Sequence, residues 1–199
     1  MVDKRNGNSP LSEQPLLEVR DLRTYFFTRR GTVKAIDGVS FRVNCGEIRG
    51  VVGESGCGKS MTAMSILQLV DKPGKIVSGE ILFKGEDLVK KSRREMSRLR
   101  GKQISVIFQE PRSSLNPVFK VGNQLREVLH IHEELKREQE QKKAVSQLRE
   151  VGIPDPERRM DNYPHEMSGG MAQRVMIAMG MACAPDLLIA DEPTTALDV

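Results

Sequence analysis

Hydrophobic and polar residues alternate along much of the first 45 positions, which predicts β-strands before any helix. The alternation begins over residues 16–22 and continues through Tyr25 and Phe27, then resumes over residues 33–43. Gly31 separates the two runs, and Asn44-Cys45-Gly46 follows the second, so turn residues stand where a hairpin and its exit need them. We therefore expect an antiparallel pair of strands in this region.

The rest of the chain alternates between short apolar runs and segments with helical spacing. The runs that predict strands are 48–52, 76–83, 104–108 and 187–190, and the segments that predict helices are 61–67, 88–100, 121–152 and 171–183. Arg49 is out of place in its run, where an apolar residue would be expected. This order of elements predicts an α/β fold.

Composition is that of a globular domain of ordinary size. The chain has 199 residues, of which 38% are hydrophobic and 29% charged. No apolar run approaches the roughly 18 residues of a membrane helix. Residues 1–15 lack an apolar centre, so we expect a disordered tail and not a signal peptide. Cys45, Cys57 and Cys183 are far apart and odd in number, which favours reduced thiols in a cytosolic protein.

The net charge of +4 is small and does not by itself indicate a class of partner. Basic residues concentrate at 90–94 and 98–102, which suggests either a solvated helix face or a nucleic-acid site. The chain has no Trp and two Tyr, and no aromatic residue interrupts the basic run. We therefore favour the solvated helix face and expect no nucleic-acid partner.

A glycine-rich segment between the predicted strand 48–52 and the predicted helix 61–67 fits the phosphate-loop pattern G-x-x-x-x-G-K-[ST]. Its residues are Gly53, Glu54, Ser55, Gly56, Cys57, Gly58, Lys59 and Ser60, and Met61 follows in the helix. The glycines allow a tight turn and close approach of backbone N–H groups to a phosphate. Lys59 would reach the β- and γ-phosphates of a nucleotide and Ser60 would ligate Mg²⁺. A glycine turn with a chance lysine is the alternative, which the strand and helix on either side disfavour.

Carboxylates and an amide stand at the ends of two predicted strands. Asp191 and Glu192 follow 187–190, and Gln109 follows 104–108. Side chains at the carboxyl ends of such strands face the ligand crevice. Asp191 would hold Mg²⁺ through its water shell, and Glu192 would orient or deprotonate an attacking water. A chance acidic turn and an ordinary loop glutamine are the alternatives.

A second candidate for anion binding opens the predicted helix 171–183. Ser168 is a plausible N-cap, and Gly169 and Gly170 follow it. An ordinary capped helix explains the serine but not the glycine pair, because glycine in a helical turn costs up to about 1 kcal/mol. Two glycines at a helix N-terminus are typical of an anion site.

Together these motifs resemble the nucleotide-binding subunit of an ABC transporter. The matching segments are the phosphate loop, Gln109 as the Q-loop, residues 167–173 as the signature, 187–192 as the second Walker motif and Thr195-Ala196-Leu197-Asp198 as the D-loop. A narrower resemblance, carried by residues 53–58, 108–111, 114–118 and 163–166, is to the dipeptide and oligopeptide importer branch, and nickel importers share much of it. Ala172 departs from the basic residue usual in that branch, and Met167 replaces a common Leu or Phe.

The resemblance implies an ATPase that energises import of peptides or a related solute such as nickel. Glu192 would be the catalytic carboxylate, and Ser60, Gln109 and Asp191 would serve Mg²⁺ and water. Ser168, Gly169 and Gly170 would bind the γ-phosphate of ATP held by the opposing subunit, with Asp198 also at the nucleotide. Tyr25 and Phe26 are the candidates for stacking on adenine, and the sequence does not decide between them.

The resemblance also implies partners and a location. A second ATP-binding subunit, identical or not, would complete each ATP site. Residues 116–118 lie where the family contacts its transmembrane permease subunits, and an extracytoplasmic solute-binding protein would act indirectly. The protein would therefore lie at the cytoplasmic face of the plasma (inner) membrane as a peripheral subunit.

The implied fold is a P-loop ABC ATPase core with an antiparallel β subdomain and an inserted α-helical subdomain. We expect the core in residues 16–110, the helical subdomain in 111–166, and the signature helix, second Walker strand and D-loop in 167–199. In the family the chain continues into a strand carrying a histidine that contacts the γ-phosphate. We therefore expect residues 1–199 to be a C-terminally truncated fragment that is loosely packed or aggregation-prone, and inactive when made alone.

Two other functions are compatible with these motifs. One is a non-transport ABC ATPase acting on DNA or the ribosome, although such proteins commonly carry two cassettes or a coiled-coil insertion. The other is a regulatory subunit that binds ATP without hydrolysing it, which Lys59, Gln109 and Glu192 disfavour.

Overall fold

A computed structural model describes residues 14–110 and 114–192, which form two compact units dividing between Ser92 and Arg93. Most of the predicted tail over residues 1–15, and the predicted D-loop with Asp198, lie outside the described residues. The units are taken in turn.

The first unit is built on a four-stranded antiparallel sheet. Its strands are β1 (Leu17–Thr28), β2 (Gly31–Val43), β3 (Gly74–Phe83) and β4 (Glu86–Asp87), in the order β2-β1-β3-β4. Thr28 pairs with Gly31 across the hairpin, as the alternating pattern predicts. The antiparallel pair expected from the sequence is confirmed.

One helix of the first unit, α1 (Lys59–Ile66), packs on this sheet and fixes the segment that precedes it. The Thr24 and Ser65 hydroxyl oxygens are 2.9 Å apart in a buried hydrogen bond between β1 and α1. Leu22 and Ile81 are fully buried in the sheet beside it. Because a buried polar pair is costly to break, this contact holds α1 at a defined place on the sheet.

The second unit combines a two-stranded parallel sheet with helices. Strands β5 (Ile104–Ile107) and β6 (Leu187–Ala190) pair in register, Ile107 opposite Ala190. The helices are α2 (Arg93–Leu99), α3 (Val121–His132), α4 (Arg137–Glu150), α5 (Pro156–Arg159) and α6 (Gly169–Met181). Short 3₁₀ turns occur at Leu88–Lys90 in the first unit and Pro164–Glu166 in the second.

A single apolar cluster fills the space between α3, α4 and α6. Its fully buried members include Leu125, Leu129, Leu148 and Val175, and partly buried residues such as Val145 pack against it. These positions recur every three or four residues along their helices, as the helical spacing of the sequence predicts. The helix α6 is thereby anchored to α3 and α4.

The prediction of a buried strand over residues 48–52 is wrong. This segment has no regular secondary structure, and Ile48 and Val52 are 100% and 96% exposed. An apolar run becomes a strand only where another strand meets its N–H and C=O groups. None of the strands in residues 14–110 and 114–192 pairs with it. Arg49 lies in this segment and bonds to Glu47, with 3.2 Å between Nη1 and Oε1.

The predicted helix over residues 121–152 is two helices. Glu133, with extended backbone, ends α3, and α4 begins after Lys136, whose N–H donates to Gln139 Oε1 at 2.9 Å. The predicted helix 171–183 begins two residues earlier, at Gly169. Within the described ranges, no helix is both long and apolar enough to cross a membrane.

Candidate functional site

The loop over residues 53–60 has a backbone that its glycines make accessible. Gly56 and Gly58 have φ of +80° and +99°, in the left-handed region that favours glycine. A Cβ on Gly58 would lie 2.6 Å from the carbonyl oxygen of Ala35 in β2. A glycine is therefore needed at position 58 for two reasons: its positive φ and its close approach to the neighbouring strand.

Lys59 and the start of α1 converge on this loop. The Lys59 Nζ donates to the carbonyl oxygens of Gly53 at 2.8 Å and Glu54 at 3.0 Å. The N-cap of α1 is Gly58, which has no side chain to cap the helix, and the first turn carries no acidic residue. Because the first N–H groups of a helix have no partner within it, this end presents donors and a partial positive charge. A cation and a helix N-terminus together suit a phosphate group.

The other loop residues frame this arrangement. Ser60, in the first turn of α1, has an exposed side chain, and Met61 beside it is half-buried. Glu54, Ser55 and Cys57 are exposed around the turn. The Cys57 N–H donates to Glu54 O at 3.3 Å and closes the turn. The loop is thus open to solvent on the side of the helix N-terminus.

Tyr25 and Phe26 lie on opposite faces of β1, since side chains alternate along a strand. Phe26 shares the face of Thr24, which bonds to α1. The Tyr25 hydroxyl donates to Asp37 Oδ1 at 2.5 Å on the other face. This hydrogen bond, together with Lys34, lowers the pKa of the Asp37 carboxyl. The structure separates the two aromatic candidates that the sequence leaves open.

In the second unit, the parallel pair of strands brings Gln109, Asp191 and Glu192 to one edge. The Asp191 N–H donates to Ile107 O at 2.9 Å and extends the ladder by one bond. Gln109 Nε2 donates to Glu192 Oε2 at 2.5 Å. Glu192 has a φ of +47°, an uncommon conformation for a residue with a side chain. The Gln109 amide and the Glu192 carboxylate therefore meet where β5 and β6 end, and Asp191 precedes Glu192 at the same edge.

The start of α6 has the predicted cap. Ser168 Oγ accepts from the Met171 N–H at 3.3 Å, and Ser168 O accepts from the Ala172 N–H at 2.9 Å. Apart from its chain neighbours and the backbone of its own helix turn, a Cβ on Gly169 would have no atom of the described chain within 4 Å. Gly170 beside it is half-buried. Packing within this unit does not explain a glycine at position 169, whereas close approach of a bound group would.

Gln124 of α3 holds the loop over residues 116–119 in place, a role that its position in the sequence does not predict. Its Nε2 donates to the carbonyl oxygens of Asn116 at 3.0 Å and Phe119 at 2.9 Å, while its Oε1 accepts from the Asn116 N–H at 2.9 Å. This buried amide holds residues 116–119 in shape while Val118 and Phe119 stay 71% and 52% exposed. A glutamine among apolar helical positions is a weak signal, which alone predicts nothing.

The predicted site residues are thus distributed over both units. The loop 53–60, with Met61, Tyr25 and Phe26, belongs to the first unit, and Gln109, Asp191, Glu192 and residues 168–170 belong to the second. Within the second unit Gln109 and Glu192 are in direct contact. Asp198 lies outside the described residues.

Comparison with protein families identifies a match over most of the chain. The model of a family described as "ABC transporter" matches residues 36–195. Two relatives are 56% identical over 185 residues: a probable peptide ABC transporter ATP-binding protein of Sinorhizobium fredii and the oligopeptide transport ATP-binding protein OppD of Bacillus subtilis. Both alignments cover 92% of this chain, and 55% and 52% of the respective relatives.

A third relative, the dipeptide transport ATP-binding protein DppD of Escherichia coli, is 47% identical over 184 residues, which are 92% of this chain and 56% of that protein. The chain spans about half the length of these relatives. Among solved structures, dimeric MJ0796, a bacterial ABC transporter cassette, is similar with a TM-score of 0.81 and 25% identity. The same cassette in a dimeric post-hydrolysis state bound to ADP and Pi gives 0.82 at 25% identity. Both alignments cover 92% of this chain and 76% of the other.

Proposed function

Because this chain belongs to the ABC transporter family, we propose that it is the ATP-binding and ATP-hydrolysing part of a subunit that energises peptide import. The observation that carries this proposal is the loop at residues 53–60. There a glycine in contact with β2, a lysine and a helix start whose N-cap is a glycine lie in one short loop. The relatives named for peptide, oligopeptide and dipeptide transport support the choice of solute class.

In the first unit, the loop would bind the phosphates of ATP. Lys59 would exchange its bonds to the Gly53 and Glu54 carbonyls for charge-assisted bonds to phosphate oxygens, which are the stronger kind. The N–H groups at the start of α1 would donate to the same phosphates. Ser60, with its exposed hydroxyl, is the proposed Mg²⁺ ligand of this unit.

Phe26 is the proposed adenine-stacking residue of this unit. It lies two residues after Thr24, on the face of β1 against which α1 packs. Its ring has no hydroxyl group that needs a hydrogen-bond partner. Tyr25 is committed to Asp37 and Lys34 on the opposite face.

We expect Phe26→Ala to weaken ATP binding by a factor between about 5 and about 150, because stacking on a base contributes roughly 1–3 kcal/mol and 1.4 kcal/mol is tenfold in affinity. Tyr25→Phe is the matched change, since it removes the bond to Asp37 and should leave ATP affinity unaltered. Calorimetric titration of both variants with ATP and with inorganic triphosphate separates base stacking from phosphate binding. Weakened ATP binding in Tyr25→Phe with Phe26→Ala unaffected would reverse the assignment.

In the second unit, the edge formed by β5 and β6 would supply the hydrolytic groups. Glu192 would accept the proton of an attacking water, and Gln109 would orient that water. Gln109 Oε1 and the Asp191 carboxylate are oxygen donors of the kind that Mg²⁺ prefers, so the donor set fits this ion. Mg²⁺, when bound, would neutralise charge on the phosphate oxygens.

The start of α6 would act on ATP held by a second subunit. Ser168, Gly169 and Gly170 lie at the helix N-terminus, and the open space beside Gly169 leaves room for a phosphate. Dimers of a similar cassette support this arrangement. Asp198, outside the described residues, is proposed to join the same site. Each ATP would then require two subunits for hydrolysis.

Residues 116–119 would dock the transmembrane permease subunits. Gln124 keeps this loop in a fixed conformation while Val118 and Phe119 remain exposed. A preorganised loop with exposed apolar side chains suits a protein interface, because little conformational freedom is lost on binding. The protein would therefore work at the cytoplasmic face of the plasma (inner) membrane, with a solute-binding protein acting on the opposite side.

The transport function is tested against a nucleic-acid function at α2. Arg93 and Arg94 are exposed and make no ion pair with residues of the described ranges. Reversing both to Glu should leave ATP hydrolysis within about twofold, because exposed charges of this kind contribute little. Lys142→Glu on α4, at an exposed lysine that pairs with Glu138, is the control reversal.

Binding of the full-length protein to DNA and RNA is measured at two salt concentrations alongside ATP turnover. We expect that reversing the charge of Arg93 and Arg94 does not weaken any binding of the protein to DNA or RNA. Salt-sensitive nucleic-acid binding abolished by the Arg93 and Arg94 changes, but not by Lys142→Glu, would favour the non-transport ATPase.

A further inference from the structure

The C-terminus of α4 is capped by a side chain from the helix that carries Gly169 and Gly170. Gly152, at φ +73°, closes α4 with its N–H on Arg149 O at 3.0 Å, and the Ile153 N–H donates to Leu148 O at 2.9 Å. This pair of bonds is a complete Schellman motif, which leaves the Val151 carbonyl to be satisfied from outside.

Arg174, in the second turn of α6, provides that donor. Its Nη1 is 2.6 Å from Val151 O. A cation at a helix C-terminus also interacts favourably with the helix dipole. A Cβ on Gly152 would lie 2.6 Å from the same nitrogen, so the guanidinium passes where any side chain at 152 would stand.

A second bond runs in the opposite sense, from α4 to the end of α6. Gln147 is 8% exposed, and its Nε2 donates at 2.8 Å to the carbonyl oxygen of Ala182, the C-cap of α6. The two helices thus cap each other, Arg174 acting on α4 and Gln147 on α6. We call these two bonds the reciprocal caps.

Apolar packing fills the space between the two caps. Ala144 and Leu148 of α4 are fully buried in the same cluster as Ala172, Val175 and Ala178 of α6. Small side chains on α6 let the helices approach closely, so the pair resists rotation as well as separation. The reciprocal caps fix the remaining freedom, which is sliding of α6 along its own axis.

We propose that Arg174 and Gln147 are positioning residues that hold the N-terminus of α6 at the height and angle needed to meet ATP on the opposing subunit. This inference rests on the proposed function, since it concerns the delivery of residues 168–170 to a phosphate. The loop 53–60 belongs to the other unit and does not depend on these bonds. Loss of a cap therefore weakens ATP-driven dimer formation while leaving ATP binding by a single subunit unchanged.

A substitution at Gln147 can distinguish a role in positioning α6 from a role in stabilising the fold. Its Oε1 is buried and accepts no hydrogen bond from the described residues, so half of the amide is unsatisfied. A methionine of similar length would fill the same space without that unsatisfied oxygen. Gln147→Met therefore removes the cap on Ala182 and the unsatisfied oxygen together, so its two effects on stability oppose each other, and a purely structural role predicts functional loss only where Tm falls.

The experiment compares variants made in full-length Glu192→Gln protein, in which bound ATP is not consumed. Dimer mass with ATP is measured by light scattering across protein concentrations, and ATP affinity by calorimetry on dilute monomer. We expect Arg174→Ala and Gln147→Met to weaken the ATP dimer by up to about tenfold, because an α6 released by loss of its cap must be returned to position on dimerisation, at a cost no larger than that of the lost bond. Monomer ATP affinity should stay within twofold, and Arg174→Lys should restore part of the dimer affinity.

Arg149→Ala is the matched control. Arg149 lies beside the same helix end and bonds to Glu157 at the same 2.6 Å, but it joins α4 to α5 and not to α6. It should leave the dimer unaffected. Equal dimer affinity in the parent, Gln147→Met and Arg174→Ala would overturn the positioning role. A loss of dimer affinity in Gln147→Met that is accompanied by a lowered Tm would also overturn it. If the parent forms no ATP dimer, the proposed function fails and this inference fails with it.

Discussion

Replacing Lys59 with alanine is expected to abolish ATP hydrolysis and to weaken MgATP binding by about tenfold or more. Lys59 is the only cation among residues 53–60, and its Nζ already lies within 3.0 Å of two loop carbonyls. Loss of hydrogen bonds to a charged group costs about 1.5–3 kcal/mol, and 1.4 kcal/mol is tenfold in affinity. Calorimetry on the full-length protein measures the binding, and phosphate release measures the turnover.

Lys72→Ala is the control for this prediction, because Lys72 is an exposed lysine of the same unit. It should bind and hydrolyse ATP normally. MgATP affinity in Lys59→Ala equal to that of the unmodified protein would show that the loop does not bind the nucleotide phosphates.

The second large effect is expected from Glu192→Gln, which should lower ATP turnover roughly 10²–10⁴-fold while ATP binding persists. Glutamine keeps the shape of the side chain and retains an oxygen that can accept from Gln109 Nε2, which is 2.5 Å from Glu192 Oε2. It lacks only the ability to take a proton. Because binding without hydrolysis leaves ATP between two subunits, an ATP-bound dimer should accumulate.

Single-turnover kinetics and molecular mass measured with and without ATP check this outcome. Glu157→Gln, at an exposed glutamate paired with Arg149, is the control and should behave as the unmodified protein. Turnover of Glu192→Gln at the unmodified rate would exclude Glu192 as the base.

Local motifs with fixed spacing could be predicted from the sequence because few conformations satisfy them. Gly56 and Gly58 have the positive φ that a phosphate loop needs, and Ser168 caps α6. Alternation along β1 and β2 predicts their pairing, since a one-residue slip would turn every side chain to the wrong face. The meeting of Gln109 with Glu192 follows from two strands in parallel register.

Features that depend on distant partners could not be predicted in this way. Residues 48–52 have the composition of a buried strand, but a strand requires a paired neighbour, and composition does not reveal one. The division between α3 and α4 is obscured because Lys136, which precedes α4, is not a common N-cap residue. Ion pairs between the end of α3 and α4, such as Lys143 Nζ to Glu133 Oε1 at 2.5 Å, join residues that the sequence places ten apart.

The direction of the aromatic and capping side chains could not be predicted from the sequence either. Tyr25 and Phe26 are neighbours of similar character, and the bonds of Thr24 to α1 and of Tyr25 to Asp37 separate them. Arg174 and Gln147 resemble ordinary polar positions of amphipathic helices. Their roles emerge only when the two helix ends are seen to face each other.

In the proposed function, the loop of one subunit and the start of α6 of another make one ATP site, and subunit mixing tests this shared site most directly. In the Glu192→Gln background, Lys59→Ala removes the phosphate contact. Gly169→Asp adds a negative charge at the start of α6, where a Cβ meets no atom of the described chain beyond its neighbours and its own helix turn. Each variant alone should remain monomeric with ATP. Mixing the two leaves one site with both parts intact, so the mass measured by light scattering should double when ATP is added. A mixture that stays monomeric, while the Glu192→Gln parent dimerises, would contradict an ATP site shared between subunits.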